Sequence, residues 1–194
     1  MIAPKLRRSL VLTSWQAVRL WAMLEAHPQV RQYCERPATI ELDGRTRVVD
    51  FWARRNSGDV WLLLDDEGAA ELELDDEAKG APRLGADQVQ LISRAALDAE
   101  AMWIENWLRI LPYLVANGGL VDPMLVDAIV DECGEPMTLV SIEARHISVD
   151  PMLVRAALFI AVHAGRVIGL DLREKPLEYG SRFQRLSREP SHAS

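Results

Sequence analysis

The stretch Ala38-Thr39-Ile40-Glu41-Leu42-Asp43-Gly44-Arg45-Thr46-Arg47-Val48-Val49-Asp50-Phe51-Trp52-Ala53, continued after Asn56-Ser57-Gly58-Asp59 by Val60-Trp61-Leu62-Leu63-Leu64, decides the fold class. An Asp-Gly pair between two β-rich runs is a strong hairpin signal, because the glycine accepts the left-handed backbone of a tight turn. The expected arms are 38–42 and 46–53. The unbroken apolar run 60–64 suits a strand buried on both faces. Upstream, Ser14 is placed to cap a helix. Trp15, Val18, Leu20, Trp21 and Leu24 then recur at helical spacing until His27-Pro28 stops the pattern. A helix followed by three strands opens a mixed α/β domain.

Asp65-Asp66-Glu67-Gly68 reads as a turn, Leu72 and Leu74 among acids as an edge strand protected by charge, and 78–87, with Gly80, Pro82 and Gly85, as a loop. From about Leu91 to Leu114 the pattern is helical, with Trp103, Trp107 and Leu111 on one stripe and Pro112 near the end. Two tryptophans four apart on a helix are read as core packing. The hexapeptide Val-Asp-Pro-Met-Leu-Val occurs at 121–126 and again at 149–154. Each copy sets Asp at an N-cap and Pro at the first helical position, so both are helix starts. Between them Thr138–Ala144 reads as a short helix. After the second copy a helix runs to Gly165, and Arg166–Leu170 and Ser181–Leu186 read as two strands around a loop with Pro176. Helix, short helix, helix and hairpin is the order of a winged-helix domain. The expected organisation is an α/β (α+β) domain over 1–114 and a mostly helical, winged-helix-like domain over 115–194.

The composition, 49% apolar and 26% charged over 194 residues, is that of a globular chain. No apolar run approaches the roughly 20 residues that cross a bilayer, and the first residues lack the apolar core of a secretory signal, so a cytoplasmic protein without membrane contact is expected. Cys34 and Cys133 stand far apart with no His or Cys at metal spacing, and read as small buried apolar residues. The net charge of −7 argues mildly against a protein that coats nucleic acid. Its distribution is uneven. Residues 1–60 carry ten Lys/Arg against six Asp/Glu, 61–109 four against twelve, 110–152 one against seven, and 153–194 seven against four. The basic ends suit DNA, and the acidic middle suits solvent or a basic protein partner.

The segments Ser14-Trp15-Gln16-Ala17, Leu24-Glu25-Ala26-His27-Pro28-Gln29-Val30, Tyr33-Cys34-Glu35-Arg36-Pro37, Asp43-Gly44 and Val49-Asp50-Phe51 together resemble the N-terminal domain of TnsA-like endonucleases of heteromeric transposases. That family writes a leading helix, a V-x-x-Y/F-x-E-Q-P segment, a strand with Gly, a P-D-F strand and an acid-or-Gln-x-Lys strand. The tail, with its helix, Ala164-Gly165-Arg166-Val167, Asp171-Leu172 and a closing strand, is similar to the family's winged-helix part. The resemblance implies a restriction-endonuclease-like fold in which acids hold Mg²⁺ and a lysine helps to activate water.

Carried over position by position, the P-D-F aspartate falls on Asp50, with Val49 in place of the proline. The leading-helix glutamate falls at or near Ala17, and the acid-x-Lys strand on Leu63-Leu64-Asp65. One of four catalytic positions is kept. The resemblance therefore implies a catalytically inactive subunit that binds an integrase-like transposase subunit or an ATPase regulator, with DNA ends as a further ligand and no cofactor. The alternatives are a divergent Mg²⁺-dependent endonuclease rebuilt around Asp50, Asp65 and Asp66, and a winged-helix transcriptional regulator. Candidate phosphate contacts are Lys5, Arg7, Arg8, Arg54, Arg55, Arg155, Arg182 and Arg185. The presumed recognition helix 151–163 offers only Arg155 and His163 as polar readers, so it is expected to pack or to dock protein rather than to read bases. His27, His146 and His163 have no ligand spacing.

Overall fold

The computed structural model describes residues 1–42, 44–65 and 88–186. It is a mixed α+β chain that divides into two compact units, 1–101 and 102–194. One helix runs unbroken from Ala101 to Asn117. Among the described residues no helix is long and apolar enough to cross a membrane.

The first unit opens with a minimal antiparallel pair, β1 (Ile2–Ala3) and β2 (Arg8–Ser9), and then α1 (Trp15–Ala26). Ser14 caps α1 as expected, its hydroxyl accepting the Ala17 N–H at 3.1 Å. At the other end Lys5 Nζ donates to the carbonyls of Leu24 and His27, both at 2.7 Å, which sets a cation on the negative end of the helix dipole. Beside it the wholly buried Glu25 accepts the Tyr33 hydroxyl and the backbone N–H of Lys5, and Trp21 Nε1 donates to Tyr33 at 2.8 Å. Burial and the Glu25 charge push the Tyr33 phenol well up. Burial pushes the Lys5 amine down to about 8 against the attraction of Glu25.

Six strands and a helix complete the unit: β3 (Gln32–Glu35), β4 (Thr39–Leu42), β5 (Arg45–Val48), β6 (Phe51–Arg55), β7 (Gly58–Asp65), β8 (Gln88–Ser93) and α2 (Arg94–Ala99). The hairpin is β4 on β5, and Leu42 opposite Arg45 leaves a two-residue loop. Gly44 has φ +70°, the left-handed value such a turn requires, while Asp43 lies outside the described residues. The expected second arm, 46–53, is two strands. It breaks at Val49-Asp50, and β6 joins a different sheet, ordered β3-β6-β7-β8. In that sheet β3, β6 and β7 are antiparallel and β8 runs parallel to β7. With a neighbour on each side, β7 is buried from Val60 to Asp65, as its apolar run predicts. Trp61 and Leu63 pack with Ile40 and Val49, while Phe51 meets Tyr33 edge-on.

The helix expected from Leu91 begins three residues later. Gln88–Ser93 alternates well enough to pair with β7, and Ser93 then caps α2 through the Ala96 N–H. Arg19 of α1 holds α2 by bonds of 2.7 Å to the Leu97 carbonyl and the Asp98 carboxylate. The expected turn at 66–68, the edge strand at Leu72 and Leu74 and the loop at 78–87 lie outside the described residues.

The second unit contains α3 (Ala101–Asn117), α4 (Pro123–Glu132), β9 (Met137–Thr138), α5 (Leu139–Arg145), α6 (Pro151–His163), β10 (Val167–Gly169) and β11 (Arg182–Arg185). Trp107 of the tryptophan pair is fully buried in the core as expected, whereas Trp103 meets it edge-on but is only half-buried, with Arg173 over its ring. Pro112 sits inside α3, which continues to Asn117. Both hexapeptides start helices, Asp122 and Asp150 accepting the N–H groups of Met124 and Met152. Gly165, at φ +69°, closes α6 with its own N–H on the Val162 carbonyl and that of Arg166 on the Ala161 carbonyl, a Schellman pairing. The strands form one antiparallel sheet in the order β10-β11-β9, the short β9 being an addition to the expected hairpin.

Buried Asn106 organises the loop between β10 and β11. Its amide donates to the carbonyls of Leu172 and Lys175 at 2.8 Å, and its oxygen accepts the Leu177 N–H at 2.7 Å. Asn106→Leu orphans all three groups and is expected to cost about 2–4 kcal/mol in urea unfolding. Asn106→Asp, which cannot donate to two carbonyls, should be at least as harmful, and wild-type stability in both variants would mean that the loop holds itself. A second expectation concerns pH. Because the folded state depresses the Lys5 pKa below the unfolded 10.5, Lys5 contributes stability that is present above pH 10.5 and lost as pH falls to about 8. Relative to Lys5→Met, the wild type should gain on the order of 2 kcal/mol between pH 8 and 10.5 in unfolding titrations.

Candidate functional site

The site grows from the junction at which the chain leaves the hairpin and enters the larger sheet. The Val49 N–H still bonds the Ala38 carbonyl of the hairpin at 3.0 Å, whereas the next N–H, that of Asp50, bonds Leu62 of β7 at 3.1 Å. Asp50 Oδ2 then accepts the Leu64 N–H at 2.7 Å. The carboxylate so takes the place of the strand residue that β7 would otherwise pair with before β6 begins. The Arg36 N–H donates to the Asp50 carbonyl at 2.9 Å, and Arg47 Nη2 donates to the Leu64 carbonyl at 2.7 Å. Arg36 holds φ +48° in front of Pro37, a left-handed backbone that a side-chain-bearing residue adopts at a cost of about 1–2 kcal/mol.

A cleft of about 120 Å³ opens at this junction, lined by Val11, Leu12, Thr13, Ala17, Glu35, Arg36, Val48, Asp50 and Phe51. Ala17 and Asp50, thirty-three positions apart in sequence, share its wall. The register Phe51 opposite Leu62, continued by one residue, sets Leu63 opposite Asp50, with Asp65 two residues further along the same face. Leu63 is fully buried among Ile40, Val49 and Trp61, and Asp65 is also buried. Asp66 lies outside the described residues.

Glu35, which the sequence reading did not single out as a site residue, is the second carboxylate of the cleft. Arg8 grips it with both terminal nitrogens, and this pairing holds the Glu35 carboxyl below its usual range. Its signal was present in the Glu35-Arg36-Pro37 segment. Arg47 gave no signal beyond its place in the hairpin.

These donors do not fit Mg²⁺. Octahedral coordination needs several oxygen ligands converging on one point. Here Ala17 and Leu63 offer none, Glu35 is held by a guanidinium, and one Asp50 oxygen is bonded to backbone. Among the described residues no three His, Cys, Asp or Glu side chains are grouped to hold a metal ion.

Most of the candidate phosphate contacts are engaged within the protein. Lys5 closes α1, and Arg8 holds Glu35. Arg54 forms a fork with Asp59, both bonds at 2.9 Å, and lies over Trp52, while Arg55 reaches Gln90 at 3.4 Å. Arg155 bonds Glu143, Tyr113 and Tyr179, Arg182 forks onto Asp171, and Arg185 reaches Asp131 at 3.2 Å. Arg7 is exposed, at φ +52° in the turn between β1 and β2.

No protein-family model matches this chain, and no curated protein or solved structure matches it significantly.

The Asp50 geometry sets a mutational expectation. Asp50→Ala leaves the Leu64 N–H without its acceptor and should destabilise the chain by about 1–3 kcal/mol in urea unfolding, whereas Asp50→Asn keeps an acceptor oxygen and should lose less than half of that. Equal losses in the two variants would mean that the charge, not the ladder bond, is what the position supplies.

Proposed function

We propose that this chain is a non-cleaving subunit of TnsA type. In this reading the first unit is a restriction-endonuclease-like domain without its chemistry, and the second is a winged-helix unit. The chain would bind protein partners, an integrase-like transposase subunit or an ATPase regulator, within a transposition complex, with DNA ends as a further ligand.

One observation carries this reading. Two positions that the resemblance selects from sequence alone, 17 and 50, line one cleft, and Leu63 lies on the neighbouring strand one residue beyond the partner of Phe51. At that cleft, the ligands that metal-dependent hydrolysis requires are missing. The order of elements agrees as well: a leading helix, the Tyr33-Cys34-Glu35-Arg36-Pro37 segment on an edge strand, a hairpin turning at Gly44, and the Asp50-Phe51 strand beside the Leu63-Leu64-Asp65 strand. In the second unit, α4, β9, α5, α6 and the β10–β11 hairpin support the winged-helix reading. A sequence-reading regulator is disfavoured by α6, whose Val154, Ala156, Ala157, Leu158, Phe159, Ala161 and Val162 are all buried and whose Arg155 is tied to three partners.

Incubation of the purified chain with supercoiled and nicked plasmid in Mg²⁺ or Mn²⁺ tests the loss of chemistry. No cleavage above background is expected, and Asp50→Ala should change nothing. Cleavage that disappears in Asp50→Ala would overturn the reading in favour of a nuclease rebuilt around Asp50.

A further inference from the structure

Among the large apolar side chains that the second unit exposes are Val140 at 49%, Ile147 at 90%, Met152 at 43% and Tyr179 at 58% of their full surface. Three of them are joined around Arg155. The Val140 N–H bonds the Tyr179 carbonyl at 3.0 Å, so the start of α5 and the segment before β11 lie side by side. Arg155 reaches the Tyr179 hydroxyl at 3.0 Å with its guanidinium 5.1 Å from the ring centroid, and Met152 stands one helical turn before Arg155 on α6. Arg155 also grips Glu143, one turn after Val140 on α5. Ile147 follows in the turn between α5 and α6.

The sequence around this face carries more carboxylates than cations. Exposed Asp150 and Glu178 stand in sequence beside Met152 and Tyr179, and from 110 to 152 the chain has seven carboxylates and a single cation, Arg145, which lies 3.8 Å from Glu132. Four cations of the last part of the unit face carboxylates in the same unit, Arg155 on Glu143, Arg166 on Asp127, Arg182 on Asp171 and Arg185 on Asp131, while Arg173 lies over Trp103 and Lys175 is exposed. A phosphate backbone needs a net positive face, and this one lacks it. An apolar centre edged by carboxylates instead matches apolar side chains flanked by Lys or Arg.

We infer that the face formed by Val140, Ile147, Met152 and Tyr179 docks a basic amphipathic segment of a partner protein. Its apolar side chains cover Val140, Met152 and Tyr179, and its cations meet Asp150 and Glu178. The preformed Arg155 network holds Tyr179 in place, so that little ordering is required on binding. The inference stands on the second unit alone and does not depend on whether the first unit descends from a nuclease.

The test uses the full chain labelled with ¹⁵N and titrated with a short helical peptide of leucine and lysine at amphipathic spacing. Parallel titrations use the same peptide with glutamate for lysine, and a duplex DNA. The lysine peptide should shift the amides of residues 139–155 and 177–182, and the glutamate peptide should bind at least about tenfold more weakly. Met152→Ser and Val140→Ser lie at exposed positions, should keep the wild-type melting temperature, and should each weaken binding by about tenfold. Four outcomes would overturn the inference: no saturable shifts with the lysine peptide, equal binding of the glutamate peptide, unaltered binding by both serine variants, or shifts of these same amides by the duplex.

Discussion

The first unit depends on a handover of hydrogen bonds at Val49-Asp50. Two successive N–H groups point to two different sheets, one to Ala38 in the hairpin and the next to Leu62 in β7. A strand that changes partners in one step leaves its new neighbour with an unpaired backbone group, here the N–H of Leu64, and an unpaired buried donor costs about 1–3 kcal/mol. A short acceptor side chain at position 50 answers that need. Aspartate reaches the Leu64 N–H at 2.7 Å, which an alanine or a leucine could not do. Asp50 thus has a structural role at this junction: its carboxylate terminates the ladder of β7.

Much of this fold was legible because its signals are local. Ser14, Asp122 and Asp150 cap helices through their own side chains, Gly165 ends one by its left-handed φ, and Gly44 does the same for the hairpin. Each needs only the residues within a turn of it. What was missed is non-local. The alternation in Gln88–Leu91 is too short to announce a strand until β7 is available as its parallel partner, so the apolar spacing from Leu91 onward looked helical. The break inside 46–53 was hidden in the same way, since Val48, Val49, Phe51 and Trp52 are equally good strand formers on either side of the change of sheet. The strands β3 and β9, of four and two residues, owe their existence to their neighbours.

The candidate site was legible in its membership more than in its electrostatics. Ala17 and Asp50 line one cleft, whereas Leu63 packs with Ile40, Val49 and Trp61. The arginines are another matter. A guanidinium is counted by sequence as a charge available to phosphate, yet Arg8, Arg54, Arg155, Arg182 and Arg185 each face a carboxylate at contact distance. Exposed pairs of this kind add little stability, about 0–1 kcal/mol each, but they erase the local positive potential on which attraction of a polyanion depends. The basic ends of the sequence are therefore much less basic as surfaces.

That neutralisation also bears on the second unit. A winged helix that reads DNA needs a helix with one face in the core and the other bearing long polar side chains. On α6 the buried residues extend around the helix, and its most prominent cation is fixed by Glu143, Tyr113 and Tyr179. Freeing Arg155 for a phosphate would break a charge-assisted bond and two hydroxyl contacts at once, and would leave the Glu143 carboxylate, itself little exposed, without its counter-charge. The energetics thus favour keeping the network closed, and the apolar residues of α6 serve the core of the unit.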